Sequence, residues 1–158
     1  MKRALLLFAG VVSCVPASAQ STFRWEQGNA YSDTHTYNGY RYKSIGFQNL
    51  VVQVADTSAL RYGLRRFGAF LLVVVNEDKE RRIELDPDRI SCTCGGGKVL
   101  SVLPPRKVPV PNRQIFDGNT VFPGDDYRGI VLFDGACRAG ELQVVSIRFP
   151  SVTLEYPF

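Results

Sequence analysis

The stretch VFPGDDYRGIVLFD, from Val121 to Asp134, combines a turn with a strand and points to the fold class. Pro-Gly at positions 123–124 is a strong turn signal, because proline presets φ and glycine tolerates positive φ. Tyr127–Phe133 is rich in residues favoured in strands. Neighbouring residues on a strand face opposite sides, so we interpret Asp125 and Asp126 as turn residues and not as paired catalytic carboxylates.

Short strand patterns repeat along the rest of the chain. Asn38-Gly39 is the strongest two-residue hairpin signal, and Asp86-Pro87-Asp88 is a second turn. Four prolines between Lys98 and Asn112 predict an extended loop or edge segment, because proline cannot donate to a strand ladder. Thr57–Arg66 is the best candidate for a helical turn. The predicted strands begin near Thr36 and then cover Ile45–Val54, Phe67–Asn76, Arg82–Leu85, Ile90–Cys94, Tyr127–Phe133, Leu142–Phe149 and Val152–Phe158.

Short strands at this spacing, separated by glycine, proline and aspartate, predict an all-β protein. We expect an antiparallel β-sandwich of about seven to nine short strands, since strands of this kind bury one face against a second sheet. The near-continuous apolar run Phe67–Asn76 fits a central strand of such a sheet.

Three segments together resemble the immunoglobulin-like β-sandwich domains of bacterial lipoproteins and secreted proteins of unknown role. LLVVVN, Leu71–Asn76, is similar to their central strand of V-x-V-x-N type, with Leu72 in place of the first valine, and an Asp-Pro turn follows. The later pattern P-G-x-x-x-x-G-x-V-x-F is matched by Pro123, Gly124, Gly129, Val131 and Phe133. The resemblance runs from about Ile45 to the end and implies an immunoglobulin-like fold and an exported setting, and it gives no catalytic residues to carry over.

The first nineteen residues have the three parts of a secretory signal. Lys2 and Arg3 form the positive start, Ala4–Val12 the apolar stretch and Ala17–Ala19 the small-residue cleavage site. The apolar stretch is too short to span a bilayer as a helix. We therefore expect a signal peptide at 1–19 and a periplasmic or secreted bacterial protein.

A competing signal overlaps the first. Val11-Val12-Ser13-Cys14 resembles a bacterial lipobox, in which the cysteine is lipidated and becomes the mature N-terminus. Cys14 is therefore a lipidation candidate, and processing there would tether the protein to the outer membrane as a lipoprotein. Cleavage after Ala19 has the better-formed small-residue pattern, and both routes stay open.

The charge balance does not predict nucleic-acid binding. The formal net charge is +4, and loss of Lys2 and Arg3 with the signal would reduce it to +2. Arg65-Arg66 and Arg81-Arg82 are only doublets, and the sequence has no basic run of the kind that follows a phosphate backbone. We expect membrane association only if Cys14 is lipidated.

Three cysteines remain after the signal. Cys92 and Cys94 are two positions apart on one strand, where a direct bond is sterically awkward, so we expect one of them to bond Cys137. Such a bridge would close a loop of about 43 residues and stabilise the fold by about 4 kcal/mol in the chain-entropy model. The spacing lacks the C-x2-C pattern typical of zinc, so a disulfide is favoured over a metal site.

The segment 20–44 precedes the predicted sandwich at 45–158 and is polar and aromatic. We predict that it contains the surface for a partner, either another envelope protein or a cell-surface component. The candidate partner surface consists of Trp25, Tyr31, Tyr37, Tyr40 and Tyr42.

We predict a non-enzymatic envelope protein that acts in binding, structure or assembly, with no catalytic, cofactor-binding or metal-binding residues. One alternative is a small secreted hydrolase that uses the single histidine, His35. The other is an eight-stranded outer-membrane β-barrel, since alternating residues end in Phe158. Short predicted strands and Pro157 within the last one disfavour the barrel.

Overall fold

The computed structural model describes residues 20–56, 68–107, 114–135, 137 and 141–158. These residues form twelve strands, and their helices are three short 3-10 turns, none long or apolar enough to cross a membrane. The predicted signal peptide and the helical candidate Thr57–Arg66 lie outside the described residues. The strands are β1 Ser21–Arg24, β2 Ser32–Tyr37, β3 Tyr40–Phe47, β4 Leu50–Asp56, β5 Ala69–Asn76, β6 Ile83–Leu85, β7 Ile90–Cys94, β8 Val99–Ser101, β9 Asn119–Val121, β10 Asp126–Leu132, β11 Leu142–Arg148 and β12 Val152–Pro157.

Ten of the strands form two five-stranded sheets. The first sheet has the order β1-β12-β11-β7-β8, and the second has the order β10-β5-β4-β3-β2. All neighbours pair antiparallel except β1 and β12, which are parallel. Strands β6 and β9 form a separate two-stranded ribbon. The all-β class is confirmed, and the arrangement is consistent with a β-sandwich.

The expected strand number was too low. Seven to nine strands were predicted, whereas the described residues form twelve. The segment before Ile45 contributes β1, β2 and most of β3, where the sequence indicated one edge strand. Strands β8 and β9 have three residues each, which is too short for an alternating pattern to be recognised, whereas the equally short β6 lies within the predicted strand Arg82–Leu85.

One hydrophobic core draws residues from both five-stranded sheets. Phe70, Leu72 and Val74 of β5 are fully buried together with Ile147 of β11 and Leu154 of β12. Phe70 contacts Phe133 with ring centroids 5.6 Å apart. These side chains alternate along their strands, as expected when two sheets bury facing surfaces. The central position predicted for Phe67–Asn76 is confirmed, because β5 lies between β4 and β10.

Two tight turns set the register of β2, β3 and β4. Asn38 and Gly39 join β2 to β3 with φ values of 49° and 80°, so the predicted hairpin is confirmed. Gln48 and Asn49 join β3 to β4 with φ values of 44° and 62°. Positive φ at both central residues is typical of the hairpin turn that matches strand twist. The second turn has no glycine and was not predicted.

Part of the outer face of the second sheet is covered by the chain itself. Leu103 and Ile115 pack on Ala69, Ile130 and Leu132, which point away from the main core. The rest of this outer face, toward β3 and β2, contains a separate small cluster around Tyr42 and Val73. That uncovered part is the first candidate site.

Candidate functional site

Three tyrosines lie on one surface of the second sheet. Direct cross-strand partners share a face, and the pairing places His35 beside Tyr42, Gln53 beside Val73 and Val73 beside Arg128. We call this surface the tyrosine face, formed by Tyr37, Tyr40, Tyr42, His35, Gln53, Val73, Val75 and Arg128. All five strands of the second sheet contribute to this face, which brings together residues that are far apart in sequence.

The tyrosine face contains a shallow depression of about 330 Å³. His35 stacks on Tyr42 with ring centroids 5.3 Å apart and an angle of 10° between their planes. Tyr42 and Val73 are buried at its floor, whereas Tyr37 is 54% exposed at its margin. An exposed ring beside a buried aromatic floor is suited to contact with another molecule.

Two polar side chains of this face, Arg128 and Tyr42, have shifted pKa values. Arg128 Nε donates a 2.8 Å hydrogen bond to the Asp126 carboxylate. This bond and the Asp126 charge, helped by Tyr37, raise the pKa of Arg128 above its usual value. Burial raises the pKa of Tyr42, although the nearby Arg128 charge acts in the opposite direction. The face therefore presents a cation and a neutral phenol.

Trp25 and Tyr31 lie elsewhere. The Trp25 indole nitrogen donates a 3.0 Å hydrogen bond to the Asp33 carbonyl, and its ring centroid is 4.5 Å from Lys43 Nζ. Tyr31 packs edge-to-face on Phe23 at 5.3 Å. The five aromatics proposed as one partner surface thus occupy separate places, and only Tyr37, Tyr40 and Tyr42 share a face.

Within the described part of the chain, His35 contacts a serine but no carboxylate. Its Nδ1 is 3.3 Å from the Oγ of Ser44, which is only 6% exposed. A nucleophile and base within such reach can act together when a third group orients the base. Among the described residues, the only other recorded partner of His35 is the ring of Tyr42. The contact by itself is a partly buried hydrogen bond.

Asp125 and Asp126 have separate structural roles. Gly124 has a φ of 79°, and the Asp125 amide donates a 3.1 Å hydrogen bond to the Phe122 carbonyl, so a turn lies here as predicted. Asp126, however, is the first residue of β10 and pairs with Arg128. In the described part of the chain, no group of three or more His, Cys, Asp or Glu side chains could hold a metal ion.

The cysteines form one bridge. Cys94 is bonded to Cys137 across 43 positions, and Cys92 is a free buried thiol. The sequence left the choice between Cys92 and Cys94 open. Cys92 Sγ lies 3.9 Å from Cys94 Sγ, and burial raises the pKa of the Cys92 thiol to about 12. Cys92 is therefore protonated and unreactive at neutral pH. Cys14 lies outside the described residues.

A second cavity, not predicted from the sequence, lies at one end of the two sheets. We call it the end cleft; it measures about 470 Å³. Its walls are the β3–β4 turn, the chain between β5 and β6, and the β11–β12 turn. It is lined by Phe47, Gln48, Asn49, Leu50, Asn76, Asp78, Arg81, Arg82, Ile83, Glu84, Arg89, Phe149, Pro150, Ser151 and Val152. The Arg81-Arg82 doublet was the only part of this site visible as a sequence feature.

Comparison of the chain with protein-family models, curated proteins and solved structures gave no match.

Proposed function

We propose that the protein is an exported, non-enzymatic module of the bacterial cell envelope that binds another envelope protein through the tyrosine face. The observation that carries the proposal is the cluster of Tyr37, Tyr40, Tyr42 and Arg128 on one sheet surface. Tyrosine and arginine are enriched in protein interfaces, where they supply large contact area together with hydrogen bonds. A protein partner fits this composition best.

The edge of β2 supports contact through side chains rather than through an added strand. The Asp33 carboxylate accepts a 2.7 Å hydrogen bond from the Thr34 amide, and the Asp33 carbonyl accepts one from Trp25. Backbone groups that already have partners are poor templates for another strand. The exposed ring of Tyr37 is the more accessible feature of the same strand.

Two further parts of the proposal concern fold type and location. The two open five-stranded sheets with a shared core support an immunoglobulin-like sandwich. The Cys94–Cys137 bond supports an oxidising compartment, such as the periplasm or the cell exterior. The intact mass of the natively processed protein tests the location. A chain that starts at Gln20 supports cleavage of a signal peptide after Ala19. A chain that starts at a lipid-modified Cys14 would instead indicate a lipoprotein anchored to the membrane.

A photo-crosslinker tests the partner surface. We would place p-benzoylphenylalanine at position 37, and at position 99 as the control, because Val99 is 66% exposed on β8 of the other sheet. Illumination of cells should give one discrete protein adduct from position 37 only. The additional substitution Arg128→Ala should reduce its yield about tenfold, the loss expected of an interface hot spot.

Three results would contradict the proposal. They are adducts of equal yield from positions 37 and 99, an adduct at position 37 that is insensitive to Arg128→Ala, and an adduct that consists of polysaccharide. Deletion of residues 20–42 would also remove the proposed partner surface. A substitution at Tyr37 is the better test, because Phe23 and Tyr42 in that range pack against buried residues and their loss would disturb the fold.

The contact between His35 and Ser44 is the one observation that favours the hydrolase alternative. If it were a nucleophile–base pair, His35→Gln and Ser44→Ala would each remove esterase activity toward p-nitrophenyl butyrate. We expect the unmodified protein to show no activity above the level of either variant, because Ser44 is buried and no carboxylate contacts His35 among the described residues.

A further inference from the structure

The end cleft has an apolar floor that is continuous with the core. Leu50, Phe149 and Val152 line the cleft and are also members of the main core cluster. Phe47 and Ile83 line it as well and are only partly buried. Because these residues come from both five-stranded sheets and from β6, the cleft gives access to the space between the sheets.

The rim of the cleft is rich in arginine. Arg82 is bonded to Glu84 at 3.0 Å, and Arg89 to Asp86 at 3.7 Å. The first pair is largely exposed and the second is nearly half exposed, so each contributes little and is readily exchanged for another anion. Arg81, by contrast, forms no ion pair in the part of the chain that the structure describes.

Asp78, an acidic residue of the same loop, already has hydrogen-bond donors. Asp78 accepts hydrogen bonds from the backbone amides of Glu80 at 2.8 Å and Arg81 at 3.0 Å. These bonds are the main reason that the pKa of the Asp78 carboxyl is lowered, and the nearby Arg81 charge adds a smaller effect without forming an ion pair among the described residues. The Arg81 guanidinium consequently remains available to an anion from solution, and its planar donors suit a carboxylate or a phosphate.

We propose that the end cleft binds a single-chain amphiphile with an anionic head. The apolar chain would lie on Phe47, Ile83 and the core residues beneath them, while the head would bind Arg81 with support from Arg82 or Arg89. The volume lies within the range of about 300–1,000 Å³ that is typical of small-ligand sites. This site is separate from the tyrosine face, so the proposal does not depend on the proposed function.

The charge pattern selects among ligand classes. A fully polar ligand would leave the apolar floor without a partner, and a cationic amphiphile would place its head among three guanidinium groups. A fatty carboxylate and a lipid phosphate share the chemistry that fits. Titration of the mature protein with decanoate and with decyl phosphate, each below its micelle concentration, distinguishes these two sources of the anionic head.

Isothermal titration calorimetry should detect saturable 1:1 binding of decanoate, decyl phosphate or both, and much weaker binding of decyltrimethylammonium. Arg81→Gln should weaken binding about tenfold, because it removes a charge-assisted hydrogen bond. Arg106→Gln is the matched control, since Arg106 is exposed and does not line the cleft. It should leave the affinity unchanged.

A second variant tests the cavity without removing charge. Ser151→Trp, in the exposed β11–β12 turn, should fill the mouth of the cleft and abolish binding while the Cys94–Cys137 bond and the circular dichroism spectrum stay intact. Tyr37→Ala should have no effect, which separates this site from the tyrosine face. Absence of saturable binding, equal binding of the cationic amphiphile, or equal affinities of Arg81→Gln and Arg106→Gln would overturn the proposal.

Discussion

The hydroxyl of Tyr156 donates a 2.7 Å hydrogen bond to the backbone carbonyl of Val52, and this bond joins β12 of one sheet to β4 of the other through the core. Burial raises the pKa of Tyr156 well above its usual value, so the hydroxyl remains a donor. We expect Tyr156→Phe to lower the free energy of unfolding by about 1–2 kcal/mol, because a buried carbonyl loses a partner.

Urea denaturation of the two proteins measures this difference. Tyr31→Phe is the control, since Tyr31 is half exposed and its hydroxyl forms no hydrogen bond with another described residue. Equal stability of Tyr156→Phe and the unmodified protein would mean that the inter-sheet hydrogen bond contributes nothing.

Alkaline pH should destabilise the protein through Tyr127. This side chain packs against Phe116 at 5.8 Å, and burial raises its pKa from 10.0 to about 12. Below pH 10 the tyrosine is protonated in both the folded and the unfolded state. Between pH 10 and 12 only the unfolded state ionises, so the free energy of unfolding falls as pH rises.

Tyr127→Phe should remove this part of the pH dependence. Both proteins would carry Cys92→Ala to prevent thiol exchange, and urea denaturation at pH 9 to 12 would follow the difference in their stabilities. We expect the free energy of unfolding of the protein with Tyr127, relative to that of the Tyr127→Phe variant, to fall between pH 10 and 12. A constant difference would show that Tyr127 titrates at the same pH in both states.

Gly68 lies where a side chain has no room. A Cβ atom at this position would lie 2.8 Å from Cys137 Cβ and 3.5 Å from a Phe133 ring carbon. We expect Gly68→Ala to lower the free energy of unfolding by about 1–3 kcal/mol, because Cys137 is bonded to Cys94 and cannot move freely away from the added methyl group. Gly46→Ala is the matched control, since nothing lies within 4 Å of its Cβ position. Thermal unfolding should give a lower melting temperature for Gly68→Ala than for Gly46→Ala. Similar melting temperatures of the two variants would contradict the packing argument.

Cys92 should resist alkylation until the protein unfolds. With a pKa of about 12 against 9.0 for an ordinary thiol, it has about a thousandfold less thiolate at pH 8. Iodoacetamide should therefore label the native protein very slowly and the denaturant-unfolded protein once, as measured by intact mass. Rapid labelling of the native protein would show that the thiol is accessible and ionised.

The fold class could be predicted from local sequence signals, but the detailed strand topology could not. Asn38-Gly39 and the apolar strand Ala69–Asn76 behave as predicted because turn geometry and burial act within a few residues. The parallel pairing of Ser21 with Val152 joins opposite ends of the described chain, and no local pattern encodes it. The Gln48–Asn49 turn escaped prediction because asparagine and glutamine replaced the usual glycine.

In the candidate sites, too, some residues could be predicted from the sequence and others could not. Tyr37, Tyr40 and Tyr42 could be selected from sequence because one hairpin places alternating residues on one face. Arg128 joins them through pairing of β10 with β5, which sequence spacing does not reveal. The end cleft combines segments around positions 48, 81 and 150, so only the assembled sheets define it.

The pairing of β1 with β12 also affects when this protein can fold. The first sheet cannot be completed until the last strand is available, because the first described strand lies beside it. Contacts between such distant segments slow folding, since a long loop must close before they form. During synthesis the first sheet therefore stays incomplete until β12 has been made, and a chain truncated before Val152 should leave β1 without its partner strand.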